Sequence, residues 1–234
     1  MRSAVLRTVF LDAGNTLVSM DWTLLAELLA AEGIVAAPGA IARAEAAARP
    51  ALSRWLASGV STEAGETLRF YVRRTLSGLP APPDGDRERA AQRLVTALRR
   101  VGTRRLWSRP LPGVHEALAA LRAAGMTLAV VSNADGTVEE GLVSLGLRDH
   151  FNAVVDSARV GVEKPDPRIF AHALAAVGAR PEAALHVGDL HAVDVVGARA
   201  AGIEAVLLDP YGDWGEVDCA RAPDLPAVVR GLLG

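Results

Sequence analysis

Four polar signatures fall just beyond short apolar runs in this sequence. Asp12 follows Val9-Phe10-Leu11; Ser132-Asn133 follow Leu128 to Val131; Lys164-Pro165-Asp166-Pro167 come after Ala153 to Val155; Gly188-Asp189, then Asp194, follow Ala184 to Val187. A carboxylate can act as a covalent nucleophile toward phosphorus. Asp12, Asp189 and Asp194 are also the hard oxygen donors that Mg²⁺ prefers, and such an ion relieves the repulsion between two approaching anions. Of the 25 basic residues 24 are Arg, and the single Lys is Lys164. An ammonium is a compact point charge with three rotatable donors, which suits it to phosphoryl oxygens and a carboxylate at close quarters. Ser132 and the backbone N–H groups after it would hold the remaining oxygens. Taken singly, each residue also has a plain structural reading: Asp12 as a turn residue, Ser132-Asn133 and Asp189 as helix caps, Lys164 as a surface charge.

The elements that must position these groups alternate. The apolar runs, together with Ala205 to Leu208, have the length and branched content of buried parallel strands. Helical patterns lie between them: Gly113 to Ala124, Val138 to Leu145, Pro167 to Val177 and Ala192 to Ala201. This predicts a doubly wound α/β sheet with its ligand site beyond the carboxyl ends of the strands. Between Val18 and Pro110 the rhythm is different. Helical spacing recurs around Leu24 to Ala31, Ile41 to Leu56, Thr62 to Leu76 and Arg87 to Val101, with breaks at Gly33, Pro38-Gly39, Gly59 and Gly78 through Gly85. Four helices are expected there. Charge divides the same way: 14 Arg against 9 acidic residues in the helical stretch, 11 basic against 18 acidic elsewhere.

Composition excludes several classes. Half of the 234 residues are hydrophobic and 22% are charged, as in a globular protein with a sizeable core. The apolar opening breaks at Arg7, too short for a signal sequence, and no stretch reaches the about 20 apolar residues of a membrane span. One cysteine, Cys219, allows no internal disulfide and no Cys-based zinc site, which points to the cytoplasm. A net charge of −2, with no aromatic-interleaved basic motif, argues against nucleic acid.

The ordered set Phe10-Leu11-Asp12-Ala13-Gly14-Asn15-Thr16-Leu17, Val131-Ser132-Asn133, Lys164-Pro165-Asp166-Pro167 and Val187-Gly188-Asp189 with Asp194 resembles the four motifs of the haloacid dehalogenase-like (HAD) hydrolase superfamily. The inserted helices are similar to the small cap of its phosphoglycolate phosphatase-like branch. The resemblance implies a Rossmann-like core over residues 1–17 and 111–234, with a helical cap over 18–110. It also implies a Mg²⁺-dependent phosphatase acting on a small phosphate ester through an aspartyl phosphate, in which Asp12 is the nucleophile. Ser132, Asn133 and Lys164 would bind the phosphoryl group. Asp12, the Gly14 carbonyl, Asp189 and Asp194 would hold the metal.

Gly14 departs from that pattern. Phosphatases of the superfamily resemble Asp-x-Asp at the first motif, the second Asp serving as general acid-base, help typically worth ~10²–10⁴-fold. Asp135 and His191 are the candidates to replace it. The gap also admits two other readings: a 2-haloacid dehalogenase, whose halide leaves without a proton, and a metal-binding regulatory protein with weak turnover. Asp189 with Asp194 argues against the dehalogenases, which replace those acids. In the cap, Arg43, Arg49, Arg54, Arg69, Arg73 and Arg74 are either phosphate readers or a solvated face. Trp22, Trp55, Phe70 and Tyr71 either line the pocket or fill the cap's interior.

Overall fold

The computed structural model describes residues 6–234, so the expectations drawn for residues 1–5 lie outside it. In chain order the elements are β1 (Thr8–Leu11), β2 (Val18–Met20), α1 (Trp22–Ala31), α2 (Pro38–Leu56), α3 (Gly65–Ser77), α4 (Arg87–Val101) and α5 (Thr103–Leu106). There follow β3 (Trp107–Pro110), α6 (Val114–Ala123), β4 (Thr127–Ser132), α7 (Val138–Ser144), β5 (Ala153–Asp156), α8 (Ser157–Val160) and α9 (Pro167–Val177). Next are β6 (Ala184–Gly188), a π-helical turn (His191–Val195) leading into α10 (Val196–Ala200), β7 (Glu204–Leu208), β8 (Ala220–Ala222) and α11 (Leu225–Leu233).

Six strands form one parallel sheet in the order β5-β4-β1-β6-β7-β8. Side-chain alternation along β1 sorts the residues to two faces. Val9 and Leu11 join the apolar layer under α6 and α11, whereas Phe10 joins the layer under α9 and α10. The fold is thus a doubly wound Rossmann-like α/β core with helical insertions. The order reverses at β1, which sits between β4 and β6, so the ends of these three strands open onto a shared crevice.

Residues between β2 and β3 form helices α1 to α5 around an apolar cluster of their own that includes Leu29, Ile34, Leu76 and Leu94. The stretch leaves and re-enters through a two-stranded antiparallel ribbon in which Val18 faces Pro110. Two sequence expectations are corrected here. Pro38-Gly39 does not break a helix but opens α2, because a proline at the first turn lacks only an N–H that would be unpaired anyway. The third helix starts at Gly65, not Thr62; Ser61 and Thr62 belong to the loop before it. No helix among the described residues is long and apolar enough to cross a membrane.

Asp21 secures the start of the insertion. Its buried carboxylate caps α1 by accepting the Leu24 N–H at 3.1 Å, and takes Arg105 at 3.0 Å and Arg109 at 2.9 Å. Burial pulls this carboxyl upward, but the bonds from Leu24, Arg105 and Arg109 outweigh it, and its pKa lies below the usual 3.8. Asp21→Ala is expected to lower stability to urea by about 1 kcal/mol, the ordinary worth of such a cap. A depressed folded-state pKa gives stability above the unfolded value that is lost as pH falls through the folded one. The gap between wild type and variant should therefore shrink below pH 3.8; a gap independent of pH would show that the carboxylate contributes nothing.

Candidate active site

Each strand end delivers a polar group into the crevice. Asp12 follows β1, Ser132 closes β4 with Asn133 behind it, and Asp189 follows β6. The π turn then carries Asp194 back over the end of its own strand, where the Leu190 N–H donates to Asp194 Oδ2 at 2.9 Å. Gly188 is required at that point, because a Cβ there would overlap the Asp194 carboxyl. Lys164 arrives on the loop between α8 and α9, which Asn133 holds in place. Asn133 accepts the Lys164 N–H at 2.7 Å and donates to the Lys164 carbonyl at 2.8 Å.

The structure brings the expected residues together. Lys164, 2% exposed, donates through Nζ to Asp12 Oδ1 at 2.6 Å and to Asp194 Oδ1 at 2.7 Å. Ser132, Asn133, Gly14 and Asp189 line the same cavity of about 560 Å³, which lies between the strand ends and the helical insertion. Asp189 Oδ2 accepts from Asn15 at 3.1 Å and lies 3.5 Å from Arg49 Nε.

Electrostatics separate the three carboxylates. Desolvation raises the Asp12 pKa despite the Lys164 charge beside it. Desolvation also pushes Asp189 up to about 8, with Asp12 and Asp194 adding repulsion that Arg49 only partly offsets. Asp194 is buried as well, but Lys164 and His186 hold it far below the ordinary carboxylate value. Lys164 is raised in turn, the attraction of Asp12 and Asp194 exceeding its desolvation, and it stays cationic. Buried oxygen donors carrying too little neighbouring positive charge are a donor set that fits Mg²⁺. The bonds of Asp194 to Lys164, His186 and the Leu190 N–H leave Asp12 and Asp189 as the freer oxygens.

Other candidates are sorted by position. His191 does not reach the cavity. It donates through Nε2 to Asp218 Oδ1 at 2.9 Å on the outer side of the π turn, away from the cavity. Asp135 lines the cavity, where bonds from Thr137 and Thr103 outweigh its partial burial and lower its pKa, which makes it a poorer proton donor. Arg43 is fastened to Asp213 by two bonds of 2.7 Å. Arg54, Arg69, Arg73 and Arg74 are exposed and away from the cavity. Arg49 is buried, bonded to Glu45 at 2.9 and 2.6 Å, and Glu45 also accepts from Asn15 and Tyr71. Tyr71 lines the cavity, whereas Trp55 and Phe70 stack on each other at 4.7 Å and Trp22 packs among the helices.

Three contributors were not visible in the sequence reading. His186, within β6, reads as a strand residue, but its Nε2 lies 3.0 Å from Asp194 Oδ1 and burial lowers its pKa. Glu63, on the loop before α3, reaches the cavity mouth, and partial burial together with Asp135 and Glu163 raises its pKa. Trp107 lies over Gly14, where a Cβ would meet its ring carbons at 3.3, 3.4 and 3.7 Å. Only the ribbon register brings Trp107 there, because its partner Met20 follows the loop after β1 that carries Asp12 and Gly14.

A parallel sheet with an acidic crevice at its switch point, a buried lysine and an inserted helical lobe defines a class of hydrolase built on the Rossmann-like core. The haloacid dehalogenase-like hydrolase family model matches residues 6–202, and the chain belongs to that family. Among curated relatives, HAD-like hydrolase domain-containing protein 3 of Mus musculus is 45% identical over 98 residues, 42% of this chain and 39% of that protein. The phosphoserine phosphatase of Thermus thermophilus is 46% identical over 99 residues, 42% of this chain and 40% of that enzyme. The matched region thus spans about two fifths of these relatives. A HAD phosphatase structure from Thermococcus onnurineus superposes with a TM-score of 0.61 at 22% identity, covering 98% of this chain and 99% of that one.

Proposed function

We propose that this hydrolase is a Mg²⁺-dependent phosphatase that cleaves a small phosphate monoester through an aspartyl phosphate on Asp12. The observation that carries this reading is the buried cluster in which Lys164 bridges Asp12 and Asp194 at 2.6 and 2.7 Å while Asp189 lines the same cavity. Lys164 offsets part of the desolvation of Asp12 and aims its carboxyl, and its third N–H is left for a phosphoryl oxygen. Ser132 and the N–H groups beyond it receive the other oxygens. Asp194, fixed by His186 and Leu190, positions Lys164. Bound to Asp12, Asp189 and the Gly14 carbonyl, with Asp194 behind them, Mg²⁺ would supply charge neutralisation between nucleophile and phosphate. We assign residues 18–110 the role of a cap that closes the cavity over substrate.

Gly14 favours a second reading, halide displacement from a 2-haloacid, because that leaving group needs no proton. One panel separates the two: phosphate release from activated and alkyl phosphate esters with and without magnesium, against halide release from 2-chloropropionate. Phosphate release that requires magnesium is expected. Halide release alone overturns the reading, and neither product indicates a binding protein.

A further inference from the structure

One part of the cavity wall, the part nearest Gly14, is apolar, while Thr62, Thr67, Tyr71, Arg99 and Arg104 line other parts of it. Trp107 occupies the space above Gly14, its ring edge 3.3–3.7 Å from where a Cβ would stand. That is the space into which an acid two residues after the nucleophile would project. Beyond the tryptophan the cavity wall continues through Leu68, Leu98, Leu142 and Leu145, drawn from α3, α4, α7 and the residue that ends it. A polyhydroxylated leaving group would lose its hydrogen bonds to water against this wall, whereas an apolar ring would gain by burial. The proton supply points the same way. Asp135 is engaged by the Thr137 hydroxyl, which donates to it at 2.6 Å, and His191 faces Asp218 outside the cavity. A cavity of about 560 Å³ has room for a bicyclic ring besides the phosphoryl group.

We infer that the substrates are phosphate monoesters of apolar aromatic hydroxyl compounds, the ring resting on Trp107 and Leu142 while the phosphoryl group meets Asp12 and Lys164. This deepens the phosphatase reading and rests on it. In the first step the Asp12 oxygen bonds to phosphorus as the ester P–O bond breaks. The electron pair leaves on a phenolate, which is stable enough to depart without a proton and later takes one from solvent. Water then hydrolyses the aspartyl phosphate to inorganic phosphate and free Asp12. An offset or edge contact between the substrate ring and the indole orients the ester for in-line attack.

The test has two arms, one of which needs no turnover. By calorimetry on the whole chain with magnesium, 1-naphthylmethylphosphonate should bind at least ~10-fold tighter than methylphosphonate, about 1.4 kcal/mol. In Trp107→Ala the ratio should fall toward one, and in Trp107→Phe most of it should return. Equal affinities in the wild type overturn the inference whether or not any variant folds. In the kinetic arm, 1-naphthyl phosphate should exceed glycerol phosphate in kcat/KM by at least ~10²-fold, the range a missing general acid leaves open. Fast glycerol phosphate hydrolysis that disappears in Glu63→Gln would show that the loop before α3 supplies an acid, and would also overturn the inference. Tight naphthyl binding without hydrolysis of any phosphate ester would retain the aromatic seat and refute only the phosphatase reading.

Discussion

Asp12→Asn is expected to reduce magnesium-dependent phosphate release by at least ~10³-fold while leaving the fold intact, because an amide oxygen cannot form the covalent phosphoryl intermediate. The variant should remain folded. Lys164 keeps its 2.7 Å contact with Asp194, and an asparagine can still accept a hydrogen bond from Nζ. The decisive measurement is a single turnover with labelled phosphate ester followed by acid quench. Label should remain on wild-type protein and be absent from the variant. A variant that keeps near wild-type rates at saturating magnesium would exclude the covalent route.

Lys164→Arg should be nearly as damaging despite preserving the charge. The ammonium is 2% exposed and meets two carboxylate oxygens within 2.7 Å, a space shaped for a point donor and not for a planar fork. A loss of about 100-fold in kcat/KM is expected, about 2.7 kcal/mol of transition-state stabilisation. Lys164→Met removes the charge altogether and leaves Asp12 and Asp194 facing each other in a buried site. It should lower stability by about 3–5 kcal/mol, the usual effect of breaking a buried ion pair. Because those carboxylates raise the Lys164 pKa beyond its ordinary 10.5, no limb from this residue should appear in the wild-type rate profile below about pH 10. An arginine variant within threefold of wild type would remove any special meaning from the lone lysine.

The polar strand ends were readable in sequence because a fully buried parallel strand is a short continuous apolar run, and a residue such as Asp12 at its end interrupts that run. The helices of the insertion were readable from their spacing for the same reason: apolar residues must face their own cluster. What could not be read depended on register. β8, at the sheet edge, is Ala220–Ala222, largely exposed and without an apolar pattern. His186 looks like any strand residue until the π turn brings Asp194 to its ring. Arg49 carries the same letter as the exposed arginines of the insertion, and only the rotation of α2 buries it against Glu45 near Asp189. Trp107 is nowhere near Gly14 along the chain. Its approach is set by strand pairing, which no local pattern encodes.

That same two-stranded ribbon also bears on how the chain finds its fold. β1 lies at the centre of the sheet, yet its neighbours β4 and β6 come from far along the sequence, with Thr8 beside Thr127 and Ala184. Closing so long a loop is entropically costly, and folds rich in such pairings assemble slowly. When Val18 meets Pro110, the whole helical stretch becomes a side branch. The remaining loop from β1 to β4 then runs only through the turn at residues 12–17 and α6. The insertion can form its own contacts first, zip the ribbon, and present β1 and β4 to each other as near neighbours. Weakening the ribbon should therefore slow refolding far more than it speeds unfolding.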